Sequence, residues 1–268
     1  MRCLLAVCAA ACIASCSQWD LGVEIPFLAT WQGQTIDCAG DGPTLTDLRF
    51  YVSDPQLIDA DGRAHDMRFA TEFRWQNDAV ALIDLERGSG ACSNGTGQMY
   101  DRLIGVARAG EYRGLRFTVG VPFRLNHANP LLAGPPLDEP DMHWPGAAGY
   151  RFLRAGVSTA SDGFLIHGGS AGCEGPADTI SVCRFPNRIE VILPEFVPGE
   201  HAIELDLAAL VAGTNLDDGV PTKCSSRPSE SSCVAPYAAL GIDFASGKQN
   251  GLQRVFSARR HGGMNLNQ

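Results

Sequence analysis

The densest group of soft metal donors in the sequence lies between residues 127 and 167. His127, Met142 and His143 stand on one stretch, Trp144 follows at once, and His167 comes shortly downstream. Imidazole nitrogen and thioether sulfur suit copper, above all Cu(I), whereas magnesium and calcium prefer oxygen. The other histidines offer less. His65 sits in a hairpin-like stretch after a turn, His201 opens a strand after Pro-Gly-Glu, and His261 lies in a polar tail; all three read as solvated.

Two further motifs suggest chemistry and are set aside. Gly168-Gly169-Ser170-Ala171-Gly172 matches the G-x-S-x-G pattern, so a serine hydrolase at Ser170 is a function to weigh. A nucleophile elbow needs a helix directly after the serine, and Cys173, Gly175 and Pro176 stand there instead. Asp59-Ala60-Asp61-Gly62 opens like a calcium loop but has Ala70 where the loop needs its terminal Glu. Asn215-Leu216-Asp217-Asp218-Gly219 is at most a weak Ca²⁺ site and reads better as a turn.

Six cysteines lie downstream of residue 16: Cys38, Cys92, Cys173, Cys183, Cys224 and Cys233. An even set behind an export signal reads as disulfides, and no CxxC pair argues for zinc. The pairing is open from cysteine count alone. Spacing favours Cys224 with Cys233 around SSRPSESS, Cys173 with Cys183 around EGPADTISV, and Cys38 with Cys92 joining distant segments.

The elements that must carry these residues are strands. Runs at 48–52, 79–85, 115–123, 150–157, 163–167, 188–193, 202–207 and 254–258 are rich in β-branched and aromatic residues or alternate apolar with polar. Leu115, Phe117, Val119, Val121 and Phe123 share one face by the two-residue period of a strand. With 30 Gly and 16 Pro, the expectation is an all-β chain: an immunoglobulin-like or irregular β-sandwich with long loops, short helices and disulfides. Short helices are expected at 100–106 and 207–212. The longest irregular stretch, 126–149, carries most of the metal donors and five prolines; loops of that length inside a compact domain tend to be functional.

Residues 1–16, MRCLLAVCAAACIASC, have a basic start, an apolar middle too short to span a bilayer, and small residues before Cys16. This is the layout of an export signal ending in a lipobox, with Cys16 as the lipidated residue and 17–268 as a single β-sandwich domain. Cleavage would remove one of 21 basic residues and none of the 30 acidic ones. A chain that acidic argues against nucleic acid and anionic membrane surfaces as charge-driven partners. Ser17 after Cys16 favours an outer-membrane anchor, so the expected location is the periplasm, outer membrane or surface of a Gram-negative cell.

Taken in order, several segments resemble the MbnP-like family, the metallo-mystery pair proteins with a four-Cys motif. They are Asn126-His127-Ala128-Asn129, Asp141-Met142-His143-Trp144, Gly149-Tyr150-Arg151-Phe152-Leu153-Arg154, His167-Gly168-Gly169-Ser170-Ala171-Gly172-Cys173, Cys183 with Pro186-Asn187-Arg188, and Leu240-Gly241-Ile242-Asp243-Phe244. Cys38 and Cys92-Ser93-Asn94-Gly95-Thr96 extend the likeness over nearly the whole chain after residue 16. The family's four cysteines would be Cys38, Cys92, Cys173 and Cys183, with Cys224 and Cys233 an addition.

The resemblance implies a non-enzymatic envelope protein paired with a di-haem cytochrome c peroxidase-like protein, which oxidises a Trp of its partner to kynurenine. Trp144 is the matching residue; Gly146 stands where relatives commonly carry a second aromatic. The resemblance further implies copper held near that Trp, in copper acquisition or storage. The ligands expected here are His167 first, His127 second and His143 third, with Met142 as a soft axial donor. A non-metal envelope interaction protein, gripping a partner through the Pro-rich loop, is the alternative.

Overall fold

The computed structural model describes residues 21–145, 148–159, 163–176, 179–214 and 222–260. The export signal with Cys16, the Asn215–Gly219 stretch and His261 lie outside the described residues. In chain order come β1 (Leu21–Trp31), β2 (Thr44–Asp59), β3 (Val80–Asp84), β4 (Arg102–Ala107) and β5 (Tyr112–Val119). After the short helix α1 (Phe123–Asn126) and a long irregular segment follow β6 (Arg151–Ser158), β7 (Gly163–Gly169), β8 (Ala171–Glu174), β9 (Val182–Phe185), β10 (Ile189–Leu193) and β11 (His201–Asp206). The chain then runs through α2 (Leu207–Val211), β12 (Thr222–Cys224), α3 (Val234–Ala239) and β13 (Phe256–Arg260). No helix among the described residues is long and apolar enough to cross a membrane.

The fold is all-β. One sheet has the order β13-β11-β1-β4 with Arg68–Phe69 at its edge; the other has the order β10-β5-β2-β6-β7-β12 with β3 beside β2. The two sheets face each other across a phenylalanine cluster. Phe27 of β1 meets Phe50 of β2 and Phe117 of β5 edge-on at 5.4 and 6.0 Å, and Phe256 of β13 meets the same two rings at 5.8 Å. Such T-shaped contacts suit the ring quadrupoles. The sandwich is irregular, because β1 with β11 and β7 with β12 pair in parallel.

The segment at 102–107 is a strand, not the helix expected at 100–106. Leu103, Gly105 and Ala107 are buried while Arg102, Ile104 and Val106 are not, a period of two that a helix would not produce. The helix expected at 207–212 is present as α2, whose N-cap Asp206 accepts from the Ala208 N–H. His201 is buried, not solvated: it pairs with Arg260 across β11 and β13, and its Nδ1 accepts from the Val197 N–H at 3.2 Å. His65 is partly covered and its Nε2 lies 2.8 Å from Asp59.

β2 is buried on both faces. Leu48, Phe50 and Val52 enter the inter-sheet core, while Arg49, Tyr51 and Ser53 point the other way and are equally inaccessible. The cover on that outer face is the irregular segment between α1 and β6. Leu137, Met142 and Tyr150 from it form a second apolar cluster with Tyr51, Val80, Leu82, Val121 and Phe152. The Tyr51 hydroxyl donates to the Pro136 carbonyl at 3.0 Å and the Tyr150 hydroxyl to that of Leu137 at 2.8 Å. A polar, proline-rich segment is thereby fixed as a third layer, and the candidate site is built at its C-terminal end.

The three disulfides are Cys38–Cys92, Cys173–Cys183 and Cys224–Cys233, the pairing that spacing favours. Cys38–Cys92 ties the loop after β3 to the segment before β2.

Candidate metal centre

The segment returns to the sheet through a backbone clasp. Asn126, buried at the end of α1, accepts from the Tyr150 N–H through Oδ1 at 2.9 Å. Gly149 turns there with φ +75°, and a β-carbon on it would lie 2.5 Å from the Asn126 carbonyl oxygen. Only glycine fits both the positive φ and the close approach. The Trp144 N–H then donates to Gly149 O at 2.9 Å, closing the loop around 144–149.

Two arginines of β6 hold the turn ahead of Trp144. Arg151 Nη1 donates to the Asp141 and His143 carbonyls at 2.6 and 2.7 Å, and Arg154 Nη1 to the Asp141 carbonyl at 3.0 Å. The Arg151 guanidinium sits over the Trp144 ring, 5.2 Å from its centroid, a cation–π arrangement that fixes the indole. The other wall is Gly169, where a β-carbon would meet the indole at 2.4 Å. Trp144 is half-buried, and its free side opens on a cleft of about 520 Å³ bounded by Pro145, Ser170, Cys173, Ser226 and Arg227.

Arg154 also pairs with Asp47 at 2.6 Å, and Asp47 takes a bidentate bond from the wholly buried Arg49 at 3.0 and 2.9 Å. Glu86, also buried, lies 3.8 Å from the Arg49 Nε. Burial alone would lower the basicity of Arg49, but the bond to Asp47 and the surrounding carboxylates outweigh it and hold that basicity above the ordinary value. Burial pushes the neighbouring Asp84 carboxyl up to about 7, despite its hydrogen bond from Thr96. A three-arginine, multi-carboxylate network therefore lies directly beneath the candidate site.

The four predicted donors have four different settings. His167 lies on β7, opposite Arg154 in register. Its Nε2 is buried and finds no hydrogen-bond partner among the described residues. Burial first, then the Arg154 and Arg151 charges, lower its pKa to about 4. His143 stands against the Tyr150 ring at 4.9 Å, and burial, Arg151 and His127 lower its pKa too. His127 closes α1, packs on Phe123 at 5.3 Å, and places Nε2 3.1 Å from Asn126 Nδ2 and 3.2 Å from the Cys183 sulfur. Met142 is fully buried in the second apolar cluster, so its thioether packs as core.

His127 and His143 are thus close enough to feel each other's charge, and Arg151 bonds the His143 carbonyl, packs on Trp144 and lowers the basicity of both His143 and His167. Depressed basicity leaves His143 and His167 neutral at physiological pH, with the lone pairs a soft cation requires. The buried Nε2 of His167, without a hydrogen-bond partner among the described residues, is the feature of this group that best suits a metal ligand. Ser170 does not form a nucleophile elbow. A strand follows it, and its hydroxyl donates to the Pro186 carbonyl at 3.0 Å.

Sequence reading missed the arginines and their carboxylates. Charges inside apolar runs, Arg49 in LRFYV and Arg151 with Arg154 in YRFLRAGV, were the available signal, since charges are rarely buried unless paired.

The MbnP family model matches residues 21–226. Among solved structures, MbnP from Methylosinus trichosporium superposes with a TM-score of 0.77 at 28% identity, covering 90% of this chain and 98% of that one. No curated protein sequence matches.

Proposed function

Because the chain belongs to the MbnP family, we propose that it is an exported copper-binding protein of the Gram-negative cell envelope, lipid-anchored through Cys16. Its role is copper acquisition or storage, and Trp144 is the residue that a di-haem peroxidase-like partner oxidises to kynurenine. The observation that carries this reading is the setting of Trp144. The indole is clamped between Arg151 and Gly169 with one side on an open cleft, and neutral imidazoles lie around Arg151. A half-buried, immobilised indole with one free side is accessible to an oxidant docked at the cleft, as an indole packed in the core is not.

His167, His127 and His143 are the proposed ligands. The burial of Met142 argues for a site built on imidazoles, with the thioether contributing shape. Ring opening would replace a pure N–H donor with an amine and a ketone oxygen beside the metal. Bound copper would be Cu(I), held by neutral imidazoles, a donor type that suits copper.

The test is intact mass and metal analysis of protein from its native envelope. A single retained copper is expected, together with a Trp144 peptide that has gained an oxygen and lost a carbon. His167→Ala should release the copper. Protein without copper, purified from copper-replete cells, overturns the metal assignment; an unmodified peptide after co-expression with the haem partner overturns the oxidation.

A second reading rests on Leu131 and Leu132, both strongly exposed at the tip of the same segment. Exposed apolar side chains side by side suit a protein-docking role for the loop. Substituting His127, His143 and His167 together while partner binding persists and no metal is lost would favour it.

A further inference from the structure

The Cys173–Cys183 bridge differs in setting from the other two disulfides. Cys38, Cys92, Cys224 and Cys233 are all buried. Cys173 is partly exposed and lines the cleft beside Trp144. Its hairpin, β8 with β9, is a separate two-stranded sheet in which Cys173 and Cys183 are directly opposed. His127 Nε2 lies 3.2 Å from the Cys183 sulfur, and the ligand atoms of His127, Cys173 and Cys183 all fall within 4.8 Å of one another.

We propose that this disulfide is a redox latch over an alternative soft-metal site, made by Cys173 and Cys183 once the bridge is reduced, together with His127, which it would share with the proposed copper site. The reductant is an envelope dithiol. Its thiolate attacks the Cys173 sulfur from the cleft, a mixed disulfide forms, and Cys183 leaves as a thiolate beside the His127 imidazole. The second thiol of the donor then resolves the mixed disulfide. Two electrons pass from the dithiol to the bridge, the donor becomes a disulfide, and two thiols remain on the protein. A thiolate leaves faster when a neighbouring group stabilises it, and His127 is placed to do so.

The released sulfurs stay near each other because the hairpin does not depend on the S–S bond alone. The Ser181 N–H and hydroxyl both bond to the Glu174 carbonyl, at 3.0 and 3.2 Å. Asn126 secures the neighbouring His127 by its own bond to Tyr150. Two thiolates and one imidazole are the protein donors of an open zinc-type site, with a fourth position left for solvent. A d¹⁰ cation of that class displaces the two thiol protons as it binds. This inference does not rest on the copper reading, since the oxidised protein offers no thiolate.

The test uses the full-length mature protein and limiting reductant under anaerobic conditions, with alkylation and peptide mass to locate free thiols. Cys173 and Cys183 should be alkylated first. Cd²⁺ added to the reduced protein should then give a thiolate-to-metal charge-transfer band that saturates at a single equivalent. The oxidised protein should give no band, and His127→Ala should slow release of the Cys183 thiol and, once fully reduced, bind Cd²⁺ at least tenfold more weakly. Prior reduction of either buried disulfide, or a reduced protein without the band, overturns the proposal. Equal Cd²⁺ affinity in His127→Ala also overturns it. Copper retention by the oxidised protein is read separately, so failure of one reading is distinct from failure of the other.

Discussion

The indole of Trp144 lies so close to Gly169 that a β-carbon at 169 would come within 2.4 Å of the ring and 2.7 Å of the Tyr150 carbonyl oxygen. Gly169 sits where the β6–β7 register slips, so the strand is already bent to admit the ring. Position 169 therefore governs the indole as directly as position 144 does.

Gly169→Ala is expected to expel the indole from its slot. Overpacking of this kind costs about 1–3 kcal/mol. Chemical denaturation should show the loss, and the fluorescence attributable to Trp144, taken as the difference from Trp144→Phe, should shift to the red. An unshifted difference spectrum would mean that the ring does not depend on this contact.

Arg151 is expected to hold the 141–143 turn as well as the indole. Arg151→Met keeps the apolar stem but removes the donors to the Asp141 and His143 carbonyls. Losing hydrogen bonds from a charged donor costs about 1.5–3 kcal/mol. Proteolysis within 126–149 should accelerate and acrylamide should quench Trp144 more strongly. Arg113→Met, on an exposed position of β5, should change neither.

The types and order of residues announced much of this arrangement. Alternation in LRFTVGV marks β5, the Cys pairs flank their loops, and the family likeness runs from Cys38 to Phe244. What the sequence concealed was the third layer. In a two-layer sandwich Arg49 of LRFYV would face water, so its charge reads as an outer-face residue. Only when the Pro-rich segment covers that face does Arg49 become a buried cation needing Asp47 and Glu86. Likewise, Met142 reads as a soft donor beside His143, yet a one-residue step in the chain turns it into the second apolar cluster while His143 stays half-exposed. The strand at 102–107 was hidden because its buried face alternates Leu, Gly and Ala, which carries little hydrophobic contrast.

Arg49→Met should be strongly destabilising, because it leaves Asp47 and Glu86 buried without their cation. Breaking a buried pair from one side costs about 3–5 kcal/mol. Adding Asp47→Asn to Arg49→Met should recover part of the loss by removing the stranded charge. The measurement is the urea midpoint of the single and double variants. A double variant less stable than Arg49→Met would show that Asp47 is held chiefly by Arg154, with which it also pairs.

Asp84 gives the network a pH dependence opposite to that of most carboxylates. Burial raises its folded pKa from 3.8 to about 7, so the folded state keeps a proton that the unfolded state releases. Between those two values the folded chain binds more protons, and stability must fall as pH rises. The contribution is fully present below about pH 4 and fully lost above about pH 7, with a span of up to about 4 kcal/mol from a shift of that size. Asp84→Asn removes the titration and keeps an acceptor for the Thr96 hydroxyl or the Glu86 N–H, which both bond Asp84 in the native protein. Wild type and variant should therefore differ least near pH 4, and the variant should gain on the wild type steadily up to pH 7. Denaturation at a series of pH values reads this difference directly, with the other titrating groups cancelling between the two proteins. A gap that is constant from pH 4 to pH 8 would mean that Asp84 is ionised in the fold across that whole range, with Arg49 neutralising it.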